Sequence, residues 1–429
     1  MKKIQKTGLG VWLLLTLLLM GSQAIQAAEM NVRVRTPEEI QKYIRKSGAT
    51  VNDPVTYKIR PRTETPFKAG ALSDRTLQSA LKIVNQIRYI AGLDADVTLD
   101  PQYTAMAQAA ALVNAANGQL SHYPQKPAHM NSSLFKLGSQ GASSSNLALR
   151  YSTLGNAIVN GWMYDGDDAN IDRVGHRRWI LNPPMKKTGF GHADDCSALY
   201  AFDWSGKSTC TNVVWPAQNM PLEYFNDHSP WSISTDQKED LHTVRVTMFR
   251  RSDQKKWTFS ERTANGYFHV DNGNYGQTGC IIFRPQAIHY QNGDCFDITI
   301  TGTKAGKITY TVNFFSLTAS LSTTPQKPKP TNITKLTAAK KGFTLKWKKQ
   351  TSQTTGYEIA YSTSKKFPKK NTVTVKVRKN KTVSQKLTGL KARKKYYVKI
   401  RTYKSVKTNG KTVKMYSVWS KVKSVITKK

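Results

Sequence analysis

A multidomain chain is what this sequence predicts: an α+β sandwich first, then two all-β sandwiches. Three observations carry that reading. Apolar residues recur at helical spacing between Asp74 and Tyr164. From Thr188 onward the period becomes two, in short runs broken by Gly and Asn. A stiff proline- and lysine-rich linker, 321–330, then sets residues 331–429 apart.

The chain of 429 residues opens with Lys2, Lys3 and Lys6 before the apolar run Val11–Met20, with small residues following through Ala28. That is the pattern of an export signal, 1–28, cleaved between Ala24 and Ala28. The run is short for a membrane span, and no later segment is apolar enough to be a transmembrane segment. The expectation is a secreted protein, extracellular or cell-wall associated. Residues 29–73 read as a basic lead-in with one short helix near Pro37–Lys46.

Asp74 is placed to cap a helix with Leu77, Leu81, Val84, Ile87 and Ile90 on one face, ended by Gly92. Asp100-Pro101 opens a second helix, with proline at the first helical position and Gly118 at the end. Its alanines (Ala105, Ala107, Ala110, Ala111, Ala115) permit close packing. The Ser-rich stretch Gly138–Asn146 leads to a third helix near Asn156–Tyr164. Strands over Thr188–His192, Ala198–Trp204 and Thr211–Trp215 complete a domain spanning 74–220.

The densest set of reactive groups lies between Gly161 and Gly191. Trp162 and Tyr164 close the third helix, and Asp165, Asp167 and Asp168 follow. Then come Gly175-His176-Arg177-Arg178 and Trp179-Ile180-Leu181, stopped by Asn182-Pro183-Pro184. A carboxylate, a histidine and two arginines between packed elements line a candidate cleft. The plainer alternative is a capped helix, a solvated acidic loop, a histidine with one partner and arginines in salt bridges.

Residues 221–320 alternate inward and outward over VRVTMF, KWTF, GYFHV, GCIIFRP, CFDITITG and KITYTVNFF, as a β-sandwich domain does. Its aromatics (Trp257, Tyr267, Phe268, Tyr275, Phe283) either fill a core or form a carbohydrate-stacking face. Cys196 with Cys210, and Cys280 with Cys295, form two local pairs. In an exported chain these read as disulfides, the alternative being four reduced thiols. Each loop is of a length for which chain entropy gives about 3 kcal/mol.

The formal charge of +38 is uneven, because Pro330–Lys429 holds 29 Lys and Arg against one acid, Glu358. Such a field attracts polyanions and weakens with salt. An anionic cell-wall polymer or another polyanion is the expected partner of 331–429. Sequence-specific nucleic-acid binding is not expected, for lack of a base-reading platform. No HExxH, GxSxG, Walker loop or dinucleotide fingerprint occurs.

Taken in order, LKIVNQIRYIAGL (Leu81–Leu93), LSH (Leu120–His122), NGWMYD (Asn160–Asp165), VGHRRWILNP and TGFG resemble the CAP family. That family comprises the cysteine-rich secretory, antigen and pathogenesis-related proteins, and the likeness is to its bacterial branch. It implies an α-β-α sandwich with a pocket of two histidines and two acids, which in some members holds a divalent metal. Carried over, the histidines are His122 and His176, and one acid is Asp165. The other acid's place, before Asn146, is taken by Ser145. Two imidazoles and one carboxylate suffice for Zn2+ or another divalent cation. The resemblance thus implies His122, His176 and Asp165 as metal ligands and Ser145, Asn146 and Arg177 as the lining of a small-ligand cleft. Without the second acid a general base lacks its owner, so no residue is assigned a catalytic role.

Leu390-Lys391-Ala392-Arg393-Lys394-Lys395-Tyr396 resembles the tyrosine corner of fibronectin type III domains, and Ser417-Val418-Trp419-Ser420 their last strand. The composite expectation is a binding protein held on wall polymer by its basic terminal domain. The alternative is a metal-assisted hydrolase acting on extracellular peptide or wall substrate. Lipid or sterol carriage is a third reading implied by the resemblance.

Overall fold

The structure, a computed structural model, describes residues 27–28, 31–318, 328–351, 354–408 and 411–429. The expected export signal lies outside the described residues up to position 26, as do 321–327 of the expected linker. The chain divides into two compact units, Met1–Ala319 and Ser320–Lys429.

In the first unit each helix begins where its sequence supplies a cap. Thr36 and Glu39 form a capping box on α1 (Pro37–Ser47). The second helix, α2 (Asp74–Ile90), is capped by Ser73 and not by Asp74. Ser73 has the extended backbone a cap needs, and its hydroxyl accepts from Thr76 N at 3.2 Å. Asp100 caps α3 (Pro101–Asn117), and Gly118 ends it at φ 64°.

A helix the sequence reading omitted follows: α4 (Ser132–Ser143), capped by Asn131. It lies so close to α3 that a Cβ on Gly141 would stand 2.0 Å from Met106 O. Glycine on one helix and alanine on the other make that approach possible. The Ser-rich stretch is therefore the end of a helix and the start of a strand, Ser145–Leu149.

That strand pairs with Cys196–Tyr200, which pairs with Phe190–Ala193, in one antiparallel sheet. Ala107, Ala110 and Ala111 of α3 pack with Leu147, Ala193 and Ala198. The expected strand through Trp204 stops at Tyr200. The third expected helix is a short α5 (Leu154–Asn156) that runs on as a π-helical turn, Ala157–Trp162. Its Trp162 donates Nε1–H to Leu147 O at 2.9 Å.

Two further sheets follow. One has the order Gly266–Asn274, Thr278–Pro285, Trp231–Ser234, Val213–Trp215. The other runs Ala27–Ala28, Gly306–Phe315, Cys295–Thr303, Arg245–Arg250, Lys256–Phe259, with Asn219–Pro221 also on Gly306–Phe315. The chain passes from one sheet to the other between Trp215 and Asn219. The core is aromatic: Trp231, Phe283, Phe296 and Phe314 are buried together, and Trp231 Nε1 donates to Tyr290 Oη at 2.7 Å. Trp257 and Phe283 are thus core residues and cannot form the carbohydrate-stacking face considered above.

The expected disulfides are also corrected. All four cysteines are free thiols, and Cys280 and Cys295 stand on strands of different sheets. Burial holds the Cys280 thiol above its ordinary pKa and pushes Cys196 up to about 11.

The second unit has a three-stranded sheet (Ile333–Ala339, Gly342–Trp347, Ser384–Leu387) and a five-stranded one. The latter runs Thr372–Val377, Gly356–Ser362, Lys395–Thr408, Lys411–Tyr416, with Lys423–Ile426 also on Lys395–Thr408. Phe343, Leu345, Trp347, Tyr357, Ile359, Val398 and Ile400 fill its core. Tyr396 Oη accepts from Lys391 N at 3.3 Å, the bond that closes the expected tyrosine corner.

Candidate functional site

The residues expected to line a cleft lie where the π-helical turn, the strand Ser145–Leu149 and α6 (Gly175–Ile180) come together. Two residues with left-handed backbones bracket it: Asp165 at φ 47° and Val174 at φ 43°. Val174 is β-branched and fully buried, so the conformation costs roughly 1–3 kcal/mol and persists only because packing imposes it. Strain of this kind gathers at sites that hold a side chain in a set place.

Asp165 is the residue so held. It is 1% exposed, its Oδ1 lies 2.8 Å from His176 Nδ1, and its Oδ2 accepts from Arg177 N at 3.1 Å. A carboxylate only accepts, so Nδ1 carries a proton, while Nε2 accepts in the neutral ring and donates in the protonated one. His122 is arranged likewise, with Nδ1 donating to Ala142 O at 2.8 Å. Burial opposes protonation of His176, but the charge and hydrogen bond of Asp165 outweigh it and hold its pKa above the ordinary value.

Asn146 donates Nδ2–H to His176 O at 2.9 Å. His122 and His176 are thereby tied to one short segment, 142–146, from its two ends. Ser145 is buried on that segment, and its Oγ has no hydrogen-bond partner among the described residues. A carboxylate in that position would stand beside the same strand start. The serine keeps it neutral.

Arg177 does not line the cleft. It is fully buried, donating to Met163 O, Tyr164 O, Pro230 O and Ser232 Oγ at 2.6–3.1 Å. Its guanidinium stitches the start of the acidic loop to the strand Trp231–Ser234, and burial lowers its pKa to about 10. Arg178 pairs with Asp271 and donates to Gly273 O and Gln277 O. Asp167 turns back on its own loop, accepting from Ala169 N and Asn170 Nδ2.

The proposed metal set meets an obstacle in these bonds. Asp165 faces His176 Nδ1 with one oxygen and Arg177 N with the other, so it orients His176 from behind in the manner of an outer-shell carboxylate. Among the described residues no group of three His, Cys, Asp or Glu is placed to hold a metal ion. A three-ligand site of His122, His176 and Asp165 does not fit.

Arg88 belongs to the helix signature that carries the family resemblance, but sequence reasoning missed its structural role. It is fully buried in α2 and donates to the carbonyls of Asp94, Ile180, Asn182, Pro183 and Met185. These bonds fix the segment that follows α6, while burial lowers the pKa of Arg88 to about 10. An arginine on the apolar stripe of a helix, four residues before Gly92, was the signal available.

The second unit carries a different feature. On its three-stranded sheet Lys335 stands directly across from Lys346, and Lys386 pairs with Thr344 on the next rung. All three lysines are exposed. The one acid of 330–429, Glu358, is buried in the other sheet and bound to Arg401 at 2.5–2.9 Å. Among the described residues no helix is long and apolar enough to cross a membrane.

Comparisons with known proteins agree with these two regions. Residues 81–214 match the model of the cysteine-rich secretory protein family, CAP, and residues 328–417 match the fibronectin type III domain. Among solved structures, the crystal structure of chicken CNTN1 FN1-FN3 domains aligns at 13% identity. The alignment covers 47% of this chain and 60% of that one at a TM-score of 0.20, too low to carry an argument. No curated protein matches the chain significantly.

Proposed function

Starting from a chain that carries a CAP domain and a C-terminal fibronectin type III domain, we propose that it is an extracellular binding protein. Its terminal domain holds an anionic polymer of the cell wall or a similar polyanion. The CAP cleft, with the Nε2 edges of His122 and His176, receives a small ligand.

The observation that supports this reading is the lysine face of the three-stranded sheet. Like charges directly opposite on adjacent strands are destabilising by roughly 0.2–1 kcal/mol. Lys335 and Lys346 keep that arrangement with Lys386 beside them and no acid on the sheet. Such an unneutralised pair leaves a positive field available to a negatively charged partner.

The test is co-sedimentation of the full chain with purified, protein-free walls at low salt. The wild type is expected in the pellet, and a Lys335→Glu, Lys346→Glu, Lys386→Glu variant largely in the supernatant. Equal sedimentation of both would refute the assignment. The hydrolase reading is not carried forward, because Asp165 is committed to His176 and Arg177 and no second acid stands at Ser145.

A further inference from the structure

The first unit presents an aromatic shelf just after the strand Cys196–Tyr200. Phe202 is 41% and Trp204 47% exposed, although both are large apolar residues. Their rings rest on buried Trp179, with centroids 4.3 Å and 5.7 Å from its own and interplanar angles of 31° and 85°. Exposed aromatics are common on mobile tips. These are not on one.

Asp203, between them, is 1% exposed and anchors the segment. Its Oδ2 accepts from Lys186 N at 2.7 Å, Lys187 N at 2.9 Å and Ser205 Oγ at 2.9 Å, and its carbonyl accepts from Asn182 Nδ2 at 3.1 Å. Gly206 N donates to Pro184 O at 2.7 Å. A Cβ at Gly206 would stand 2.4 Å from that oxygen, so the chain approaches there as only glycine can. The anchored residue points in while its two neighbours point out, which holds both rings in place before any ligand arrives.

Beginning at the next residue is an open depression of about 480 Å³, lined by Asp94, Lys186, Ser205, Gly206, Lys207 and Ser208. Its charges are nearly balanced, since Lys186 pairs with Asp96 at 2.5 Å and with Asp94 at 3.7 Å. Apolar ring faces beside a depression rich in donors and acceptors match a molecule with apolar C–H faces and hydroxyl edges. A pyranose chain has that chemistry. With Asp94 and Asp96 set against Lys186 and Lys207, the depression offers no net positive charge to draw an anionic bilayer.

We propose that Phe202 and Trp204, with the adjoining depression, form a subsite for a neutral, hydroxyl-rich saccharide. It is independent of both the histidine cleft and the lysine face.

The test uses the full chain with chitohexaose and cellohexaose as probes, read by tryptophan fluorescence and calorimetry. Saturable binding to at least one probe is expected. Trp204→Ala should weaken it about tenfold, the scale of one lost aromatic contact, and Phe202→Ala should weaken it less. Both rings are exposed, so circular dichroism should stay unchanged. A His176→Ala and a Lys346→Glu variant should bind the sugar as the wild type does. The proposal is overturned if neither sugar binds, or if both aromatic variants bind normally. It is also overturned if phosphatidylglycerol vesicles, and not sugars, show the Trp204 dependence.

Discussion

The two units spend their cations in opposite ways. In the first, Arg88 and Arg177 are fully buried and answered mainly by backbone carbonyls. In the second, lysines stand exposed, two of them face to face, while the only acid is used up on Arg401. A planar, weakly hydrated guanidinium with five donors can replace its water shell by carbonyls. A strongly hydrated ammonium cannot do so cheaply, and it stays in solvent. The difference teaches that net charge says little until exposure and partners are known. Buried arginine is architecture, and unneutralised surface lysine is a field available for a partner.

The comparison breaks most visibly at Arg88. Arg88→Ala should destabilise the first unit by roughly 3–5 kcal/mol, since it empties a buried volume and orphans several carbonyls. Arg88→Lys should recover little, because one ammonium cannot reach the same set. Urea unfolding followed by tryptophan fluorescence measures both. A variant as stable as wild type would remove the architectural half of the contrast.

A smaller effect is expected at Asp165. Asp165→Asn should cost about 2 kcal/mol by weakening charged hydrogen bonds to His176 and to Arg177 N, and should move the pKa of His176 downward. The sign follows from the raised value in the folded chain. The pairing contributes stability in full below the unfolded histidine pKa of about 6.5, and that contribution fades as pH rises through the higher folded value. Proton titration of the His176 ring in wild type and variant reads it directly. An unchanged titration would show that Asp165 does not set the charge of His176.

Tyr396→Phe should cost about 1 kcal/mol by leaving Lys391 N without the phenol oxygen. Thermal unfolding of the second unit checks this, and no change would mean that water serves equally well. The smallest shift sharpens the contrast most. Lys335→Thr should stabilise by about 0.2–1 kcal/mol, relieving the repulsion of Lys346, yet weaken polyanion binding. Stability up and binding down is the signature of charge kept for a partner.

Much of the fold was legible because its signals are local. Asp100-Pro101 and Gly118 announce α3, and the helix expected near Pro37–Lys46 is α1. The tyrosine corner was equally plain, since its bond spans only five positions. What could not be read depends on distant partners. The helix Ser132–Ser143 carries serines and glycines that look like a loop until α3 is there to receive them. Cys280 and Cys295 are near in sequence but sit in different sheets. Arg177 reads as a cleft residue until Pro230 and Ser232 fold over it. Asp165 reads as a ligand from its place after Trp162, until the fold sets its two oxygens against His176 Nδ1 and Arg177 N.

The most direct test of the central claim is a salt titration of polyanion binding by the full chain. Poly(glycerol phosphate) would be titrated by calorimetry from low to high sodium chloride, with wild type beside the Lys335→Glu, Lys346→Glu, Lys386→Glu variant. The account predicts wild-type affinity that falls steeply as salt shortens the screening length toward about 3 Å at 1 M, and a variant that binds much more weakly with a shallower dependence. Equal affinities with equal salt dependence would contradict it, and would return the lysine face to the role of a soluble surface.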